Sequence, residues 1–143
     1  MVLATLAAVV VVAALGAFAW QATGGRILMM STQSMCPETC VGALVVDRAA
    51  SGPYRVGEMI SFNPPGSTAV YTHRIISVDH GVLRTKGDAN LAADPWTLTG
   101  ANVVGRTWFT LWGAGWLYKI LPFLVIGIVG AAEGARRPRR RCR

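Results

Sequence analysis

A serine hydroxyl becomes a nucleophile when a neighbouring base takes its proton, and three segments of this chain hold the parts for that chemistry. Ser34 stands in Ser31-Thr32-Gln33-Ser34-Met35-Cys36-Pro37. His73 stands in Val70-Tyr71-Thr72-His73-Arg74-Ile75-Ile76, inside an apolar run. Asp88 and Asp94 follow in Thr85-Lys86-Gly87-Asp88-Ala89-Asn90 and Asp94-Pro95-Trp96. Each also has a plain reading: a solvated loop serine, a core histidine, an ordinary polar turn. The chain has two histidines, and His80 sits in an Asp79-His80-Gly81 turn where a solvated role is expected. His73 is therefore the better near-neutral base for serine activation. A carboxylate behind it would fix its tautomer and stabilise its charged form. Lys86 is a competing base if it is desolvated, but beside Gly87 and Asp88 it reads as solvated.

The elements that must position these residues are short strands. Residues 43–47, 59–62, 69–78, 82–85 and 103–109 read as strands. The breaks at Ser51-Gly52-Pro53, Asn63-Pro64-Pro65-Gly66 and Asp79-His80-Gly81 carry turn chemistry. The last of these joins two apolar runs and predicts a hairpin. The expectation is a mainly β protein, with a small all-β domain over residues 21–112.

Apolar segments flank that domain. Residues 1–20 are almost wholly Ala, Val, Leu, Gly and Phe and carry no charge, enough to cross a bilayer. A cleaved secretory signal is the rival reading, with small residues at Ala17-Phe18-Ala19. The segment lacks a basic leading region and is long for a signal core, which favours an uncleaved transmembrane anchor. A second apolar segment, residues 113–132, follows Trp108 and Trp112 and carries Trp116, Tyr118, Lys119 and Pro122. Aromatic residues at its start suit a membrane interface. A basic tail, residues 133–143, closes the chain.

The net charge of +7 comes from 14 Lys and Arg against seven Asp and Glu, and the hydrophobic share is 52% of 143 residues. Six of the basic residues are the arginines between 136 and 143, so the remainder is nearly neutral. A terminal basic run after an apolar stretch points to a cytoplasmic flank and argues against nucleic-acid binding, which needs a basic face on a folded domain. Both termini are then expected in the cytoplasm, with the β domain on the outer face of a cell membrane. Cys36 and Cys40 are spaced for a small disulfide loop or for two free thiols, and the sequence leaves both open. With no third ligand nearby they make a poor zinc site. Cys142 lies in the arginine run and is expected as a free thiol.

Taken in order, the segments resemble the signal peptidase I family. Ser34-Met35-Cys36-Pro37 is similar to its Ser-Met-x-Pro box, and Thr72-His73-Arg74-Ile75 is similar to its second. Thr85-Lys86-Gly87-Asp88-Ala89-Asn90 with Asp94 is similar to the third, and Val103-Val104-Gly105-Arg106 to a fourth. The resemblance covers about residues 27–115. Histidine in the second box, where the common bacterial enzymes carry lysine, resembles the endoplasmic-reticulum and archaeal type. The resemblance implies a signal-peptidase-like catalytic domain flanked by two transmembrane helices. It implies Ser34 as nucleophile, His73 as base, Asp94 as its direct partner and Asp88 as structural support. Thr32 and the Ser34 N–H would form an oxyanion hole, unless Thr32 is a plain loop residue. No metal or cofactor is implied. The implied partners are signal-peptide-bearing preproteins, the lipid bilayer and the secretion translocon. Cys36 departs from the acidic residue usual in the first box, with Glu38 following Pro37. The implied activity is removal of signal peptides from exported preproteins. A peptidase dedicated to one or a few secreted proteins, and an inactive membrane-tethered β-domain subunit, are the alternatives.

Overall fold

The computed structural model describes residues 2–135, so the basic run and Cys142 lie outside the described residues. The chain begins with helix α1 (Val2–Ala22). Strands β1 (Arg26–Met29), β2 (Leu44–Arg48), β3 (Met59–Phe62), β4 (Tyr71–Asp79), β5 (Val82–Lys86), β6 (Leu98–Thr99) and β7 (Val103–Leu111) follow. Helix α2 (Ala114–Ala135) comes last and contains Pro122.

The seven strands form one antiparallel sheet in the order β1-β2-β7-β3-β4-β5-β6. The last strand in sequence is inserted between β2 and β3. It joins the half that follows α1 to the half built from β3–β6. Every residue of β3 is buried, and so are four of the five residues of β2. Two apolar clusters form the core. One gathers Ile60, Phe62, Ile75, Leu83, Leu98 and Val103. The other gathers Met30, Met35, Ala43, Val45 and Met59.

Five strands fall where the sequence places them, with ends that agree or differ by one or two residues. The hairpin between β4 and β5 also forms. Asp79 pairs with Val82, and the two turn residues both take positive φ, 46° at His80 and 83° at Gly81. Two left-handed residues are what a tight hairpin needs to match strand twist. Two strands were not expected. β1 is four residues with no clear alternation, and β6 is two residues paired with Val82 and Leu83. Both exist because a neighbour offers a free edge, which local pattern does not encode.

Among the described residues, α1 is the helix whose length and apolar composition suit a membrane crossing, over Thr5–Ala22. Its C-terminal end is tied to the sheet. Trp20 Nε1 donates to the Asp47 carbonyl oxygen at 2.9 Å, and its ring stacks on Trp108 at 5.3 Å. The start of α2 is tied to the same region by Gly115 N–H donating to Gly42 O at 3.0 Å. Trp108, Phe109, Leu111, Trp112 and Trp116 stay exposed around these two roots.

Candidate active site

β4 carries His73 on the same strand face as Tyr71 and Ile75, as strand alternation requires. Ile75 belongs to the first apolar cluster. The His73 ring meets Phe62 at 6.1 Å and Tyr71 at 6.2 Å, both edge-on, and Trp96 covers Tyr71 at 4.9 Å. The imidazole therefore sits in an apolar wall, only 5% exposed. β5 leaves β4 at the Arg74–Lys86 pair. The chain after β5 then turns back, and Asp94 N–H donates to Thr85 O at 2.8 Å.

That return brings the Asp94 carboxylate behind the ring. His73 Nδ1 lies 2.7 Å from Asp94 Oδ2, and the Thr85 hydroxyl donates to the same oxygen at 2.6 Å. Asp94 is also 5% exposed. A buried carboxylate with two donors on one oxygen has little freedom to rotate, so the imidazole plane is fixed with it. With its Nδ1 proton donated to Asp94, the ring presents Nε2 as an acceptor. Nε2 stands 3.1 Å from Ser34 Oγ, across 39 residues of sequence. The Thr32 hydroxyl is 3.1 Å from the same Ser34 oxygen.

The loop carrying Ser34 is held from two sides. Met35, fully buried, anchors it in the second apolar cluster. Ala89 N–H donates to Ser34 O at 2.9 Å. Gly87 has no room for a side chain: a Cβ there would lie 2.7 Å from Ser34 O and 2.7 Å from Asn90 Nδ2. Cys36 and Cys40 form a disulfide, and Met35 pairs with Thr39 as an isolated bridge. The Cys36–Pro37 peptide is cis.

Asp88 does not meet His73. It takes a two-pronged contact from Arg74, Nε to Oδ1 at 2.9 Å and Nη2 to Oδ2 at 2.7 Å. Arg74 Nη2 also reaches Glu38 Oε2 at 2.6 Å, and Nη1 donates to Gly57 O at 2.9 Å. Its guanidinium is held still more firmly in the charged form than usual, chiefly by the hydrogen bonds to Asp88. Lys86 lies on β5 opposite Arg74, while His73 provides the basic atom against Ser34 Oγ. His80, 95% exposed in its side chain, contacts Asp79 in the hairpin turn. Thr85, Glu38 and the Ala89 N–H carry no task that the sequence predicts. Thr85 belongs to a singled-out motif, but a buried hydroxyl on a carboxylate leaves no mark in the motif itself.

A groove of about 330 Å³ opens beside Ser34. Leu28, Met29 and Met30 line it together with Ala69, Val70 and Tyr71. β1 is the outer strand of the sheet at this end. Chemically, the arrangement pairs a hydroxyl with an oriented imidazole at the edge of a mostly apolar cleft. That is the equipment for acyl transfer to serine. Among the described residues, no group of three or more His, Cys, Asp or Glu side chains could hold a metal ion.

The chain is similar to known signal peptidases. Signal peptidase I W of Bacillus subtilis (strain 168) is 37% identical over 76 residues, 49% of this chain and 40% of that protein. The signal peptidase complex catalytic subunit sec11 of Dictyostelium discoideum is 32% identical over 89 residues, 59% of this chain and 48% of that protein. The matched part is less than half the length of each of these relatives. No protein-family model matches the chain. The two similarities support kinship with the signal peptidase I family.

Proposed function

We propose that this chain is a membrane-anchored serine endopeptidase of the Ser–His type that removes signal peptides from exported preproteins. The observation that carries the reading is the hydrogen-bonded line Ser34 Oγ, His73 Nε2, His73 Nδ1, Asp94 Oδ2, with steps of 3.1 and 2.7 Å. In this reading Ser34 Oγ attacks the scissile carbonyl while His73 Nε2 takes its proton. Asp94 holds the ring and stabilises the imidazolium. The developing oxyanion is met by the Thr32 hydroxyl and the Ser34 N–H, each such donor being worth about 3 kcal/mol. His73 then gives its proton to the leaving amine, and water resolves the acyl-enzyme. Asp88 acts through Arg74 as a structural support.

The substrate is an extended segment that adds to β1, since an outer strand offers unpaired N–H and C=O groups. Small side chains at the −1 and −3 positions fit the shallow apolar walls of the groove. Both helices are membrane spans in this reading, with the termini in the cytoplasm and the β domain outside. The 136–143 arginine run motivates that orientation. α1 then does more than anchor. Its root is bonded to β2 through Trp20 and Asp47, and β1 leads directly into the Ser34 loop. The nucleophile is thereby held at a set height over the bilayer, where signal peptides emerge.

The test is cleavage of a preprotein with an A-x-A site, in detergent, by the wild type and by Ser34→Ala and His73→Ala. Cleavage by the wild type, with each variant slower by about a thousandfold or more, is the expected result. A folded wild type that leaves the preprotein intact overturns the reading.

A further inference from the structure

The loop that carries Ser34 is closed on itself two residues further on, where Cys36 bonds to Cys40 across a separation of four. The other constraints on residues 36–40 are local: Cys36 N–H donates to Gln33 O at 3.0 Å and Thr39 N–H to Met35 O at 2.8 Å. Glu38 ties the loop to Arg74, but its side chain is 62% exposed, so this ion pair alone does not fix how residues 36–40 close. Thr39 is fully buried, and among the described residues its hydroxyl has no hydrogen-bond partner. A buried, unsatisfied hydroxyl favours any rearrangement that returns it to water. The closed loop thus carries a cost at Thr39, and a covalent bond spans it.

We propose that the Cys36–Cys40 bond is a positioning element for Ser34, so that the site is competent in its oxidised form and impaired when the bond is reduced. The geometry behind this is direct. Ser34 Oγ is 3.1 Å from His73 Nε2 and Ser34 O is 2.9 Å from Ala89 N. Met35 is the single residue between Ser34 and the cross-linked loop. In the reduced chain Thr39 turns outward, the Met35–Thr39 bridge opens, and Ser34 loses its seat against Ala89 and His73. Reduction is ordinary thiol–disulfide exchange. A dithiol supplies two electrons and two protons and is oxidised to a disulfide, while Cys36 and Cys40 become thiols. The loop would then tie activity to an oxidising compartment. The catalytic half of this proposal rests on Ser34 being the nucleophile; the structural half does not.

The experiment uses the full chain carrying Cys142→Ser, oxidised and then reduced with dithiothreitol, with thiol titration to show that reduction is complete. Amide exchange at Ala89 reports the seat of Ser34 independently of catalysis. Ile75, whose N–H donates to Glu58 O at 2.8 Å, reports the sheet. Reduction is expected to speed exchange at Ala89 by about tenfold and to leave Ile75 unchanged. In preprotein cleavage kcat falls about tenfold with KM little altered, and reoxidation restores it. Cys36→Ala/Cys40→Ala starts at the reduced level and ignores dithiothreitol. Unchanged exchange at Ala89 in fully reduced protein overturns the proposal. So does equal acceleration at Ala89 and Ile75, which would make the bond a general stabiliser. If the oxidised chain cuts no preprotein, the peptidase reading fails, and Ala89 exchange alone decides whether the bond seats the loop.

Discussion

His73 and Arg74 are consecutive on β4, and their side chains leave opposite faces of the strand. His73 meets Ser34 and Asp94, while Arg74 meets Asp88 and Glu38. One strand thus organises two polar networks. The first is a line of groups able to move a proton. The second ties the Ser34 loop to the loop after β5 through one guanidinium. Glu38 belongs to the former loop and Asp88 to the latter, and each lies within 2.7 Å of Arg74 Nη2.

Arg74→Lys keeps the charge and loses the fork. A lysine ammonium cannot make the paired contact to both Asp88 oxygens. The variant is expected to be less stable by about 1–2 kcal/mol. Its cleavage rate should fall as well, although the Arg74 guanidinium bonds to Asp88, Glu38 and Gly57 and to neither the Ser34 nor the His73 side chain. Urea titration and steady-state kinetics on the same preparation check both. Wild-type stability with wild-type kcat would show that the fork organises nothing.

Asp94→Asn removes the acceptor that fixes the His73 tautomer. The expected loss in kcat is on the order of a thousandfold or more, with little change in KM. Thr85→Val leaves the carboxylate in place and takes away one donor, so its expected loss is smaller, about tenfold. The order of the two variants matters more than either value. A Thr85→Val variant as slow as Asp94→Asn would mean that Thr85 has a larger part than holding Asp94.

Gly87→Ala places a methyl group 2.7 Å from Ser34 O and from Asn90 Nδ2. Backbone at that distance must move. The expected destabilisation is about 1–3 kcal/mol, and cleavage falls further than stability alone explains because Ser34 moves with its carbonyl. Thermal melting beside kinetics at a temperature well below the melt separates the two effects.

Asp47 predicts a pH dependence. Its carboxyl is fully buried on β2 and accepts from Thr107 Oγ1 at 2.9 Å. Burial pushes its pKa up, against the nearby Ser61 and Thr107 hydroxyls and the charge of Arg26, which pull it down. A carboxyl with a raised folded-state pKa binds its proton more tightly when folded. Its contribution is full below the unfolded pKa and is lost as pH rises through the folded one. Asp47→Asn should therefore gain stability relative to the wild type as pH rises through that window, and the difference should level off below it. Denaturant titrations from acid to neutral pH measure this. Parallel curves for the two proteins would refute it.

Much of the architecture is readable in the sequence because it rests on local pattern. Five strands follow from apolar runs between turn residues. The β4–β5 hairpin follows from His80-Gly81, a pair able to take positive φ. The apolar character of α1 follows from composition. β1 and β6 are not readable in this way, since each is strand only because a neighbouring edge pairs with it.

The candidate site divides along the same line. Sequence by itself determined which residue types are present and in what order: Ser34, His73, Asp88 and Asp94, each in a short motif. Spacing alone left open which carboxylate faces which cation, since Asp88 and Asp94 are both polar-loop residues a few positions apart, and only the family resemblance favoured Asp94. Tertiary structure decided that Asp94 meets His73 and Asp88 meets Arg74. It also decided that Cys36 and Cys40 are bonded, and that Thr85 and the Ala89 N–H belong to the site. The physical reason is that periodicity fixes the face a side chain takes within its own strand. Partners 21 and 39 residues away are fixed by strand register and by where each loop returns, and those are properties of the whole sheet.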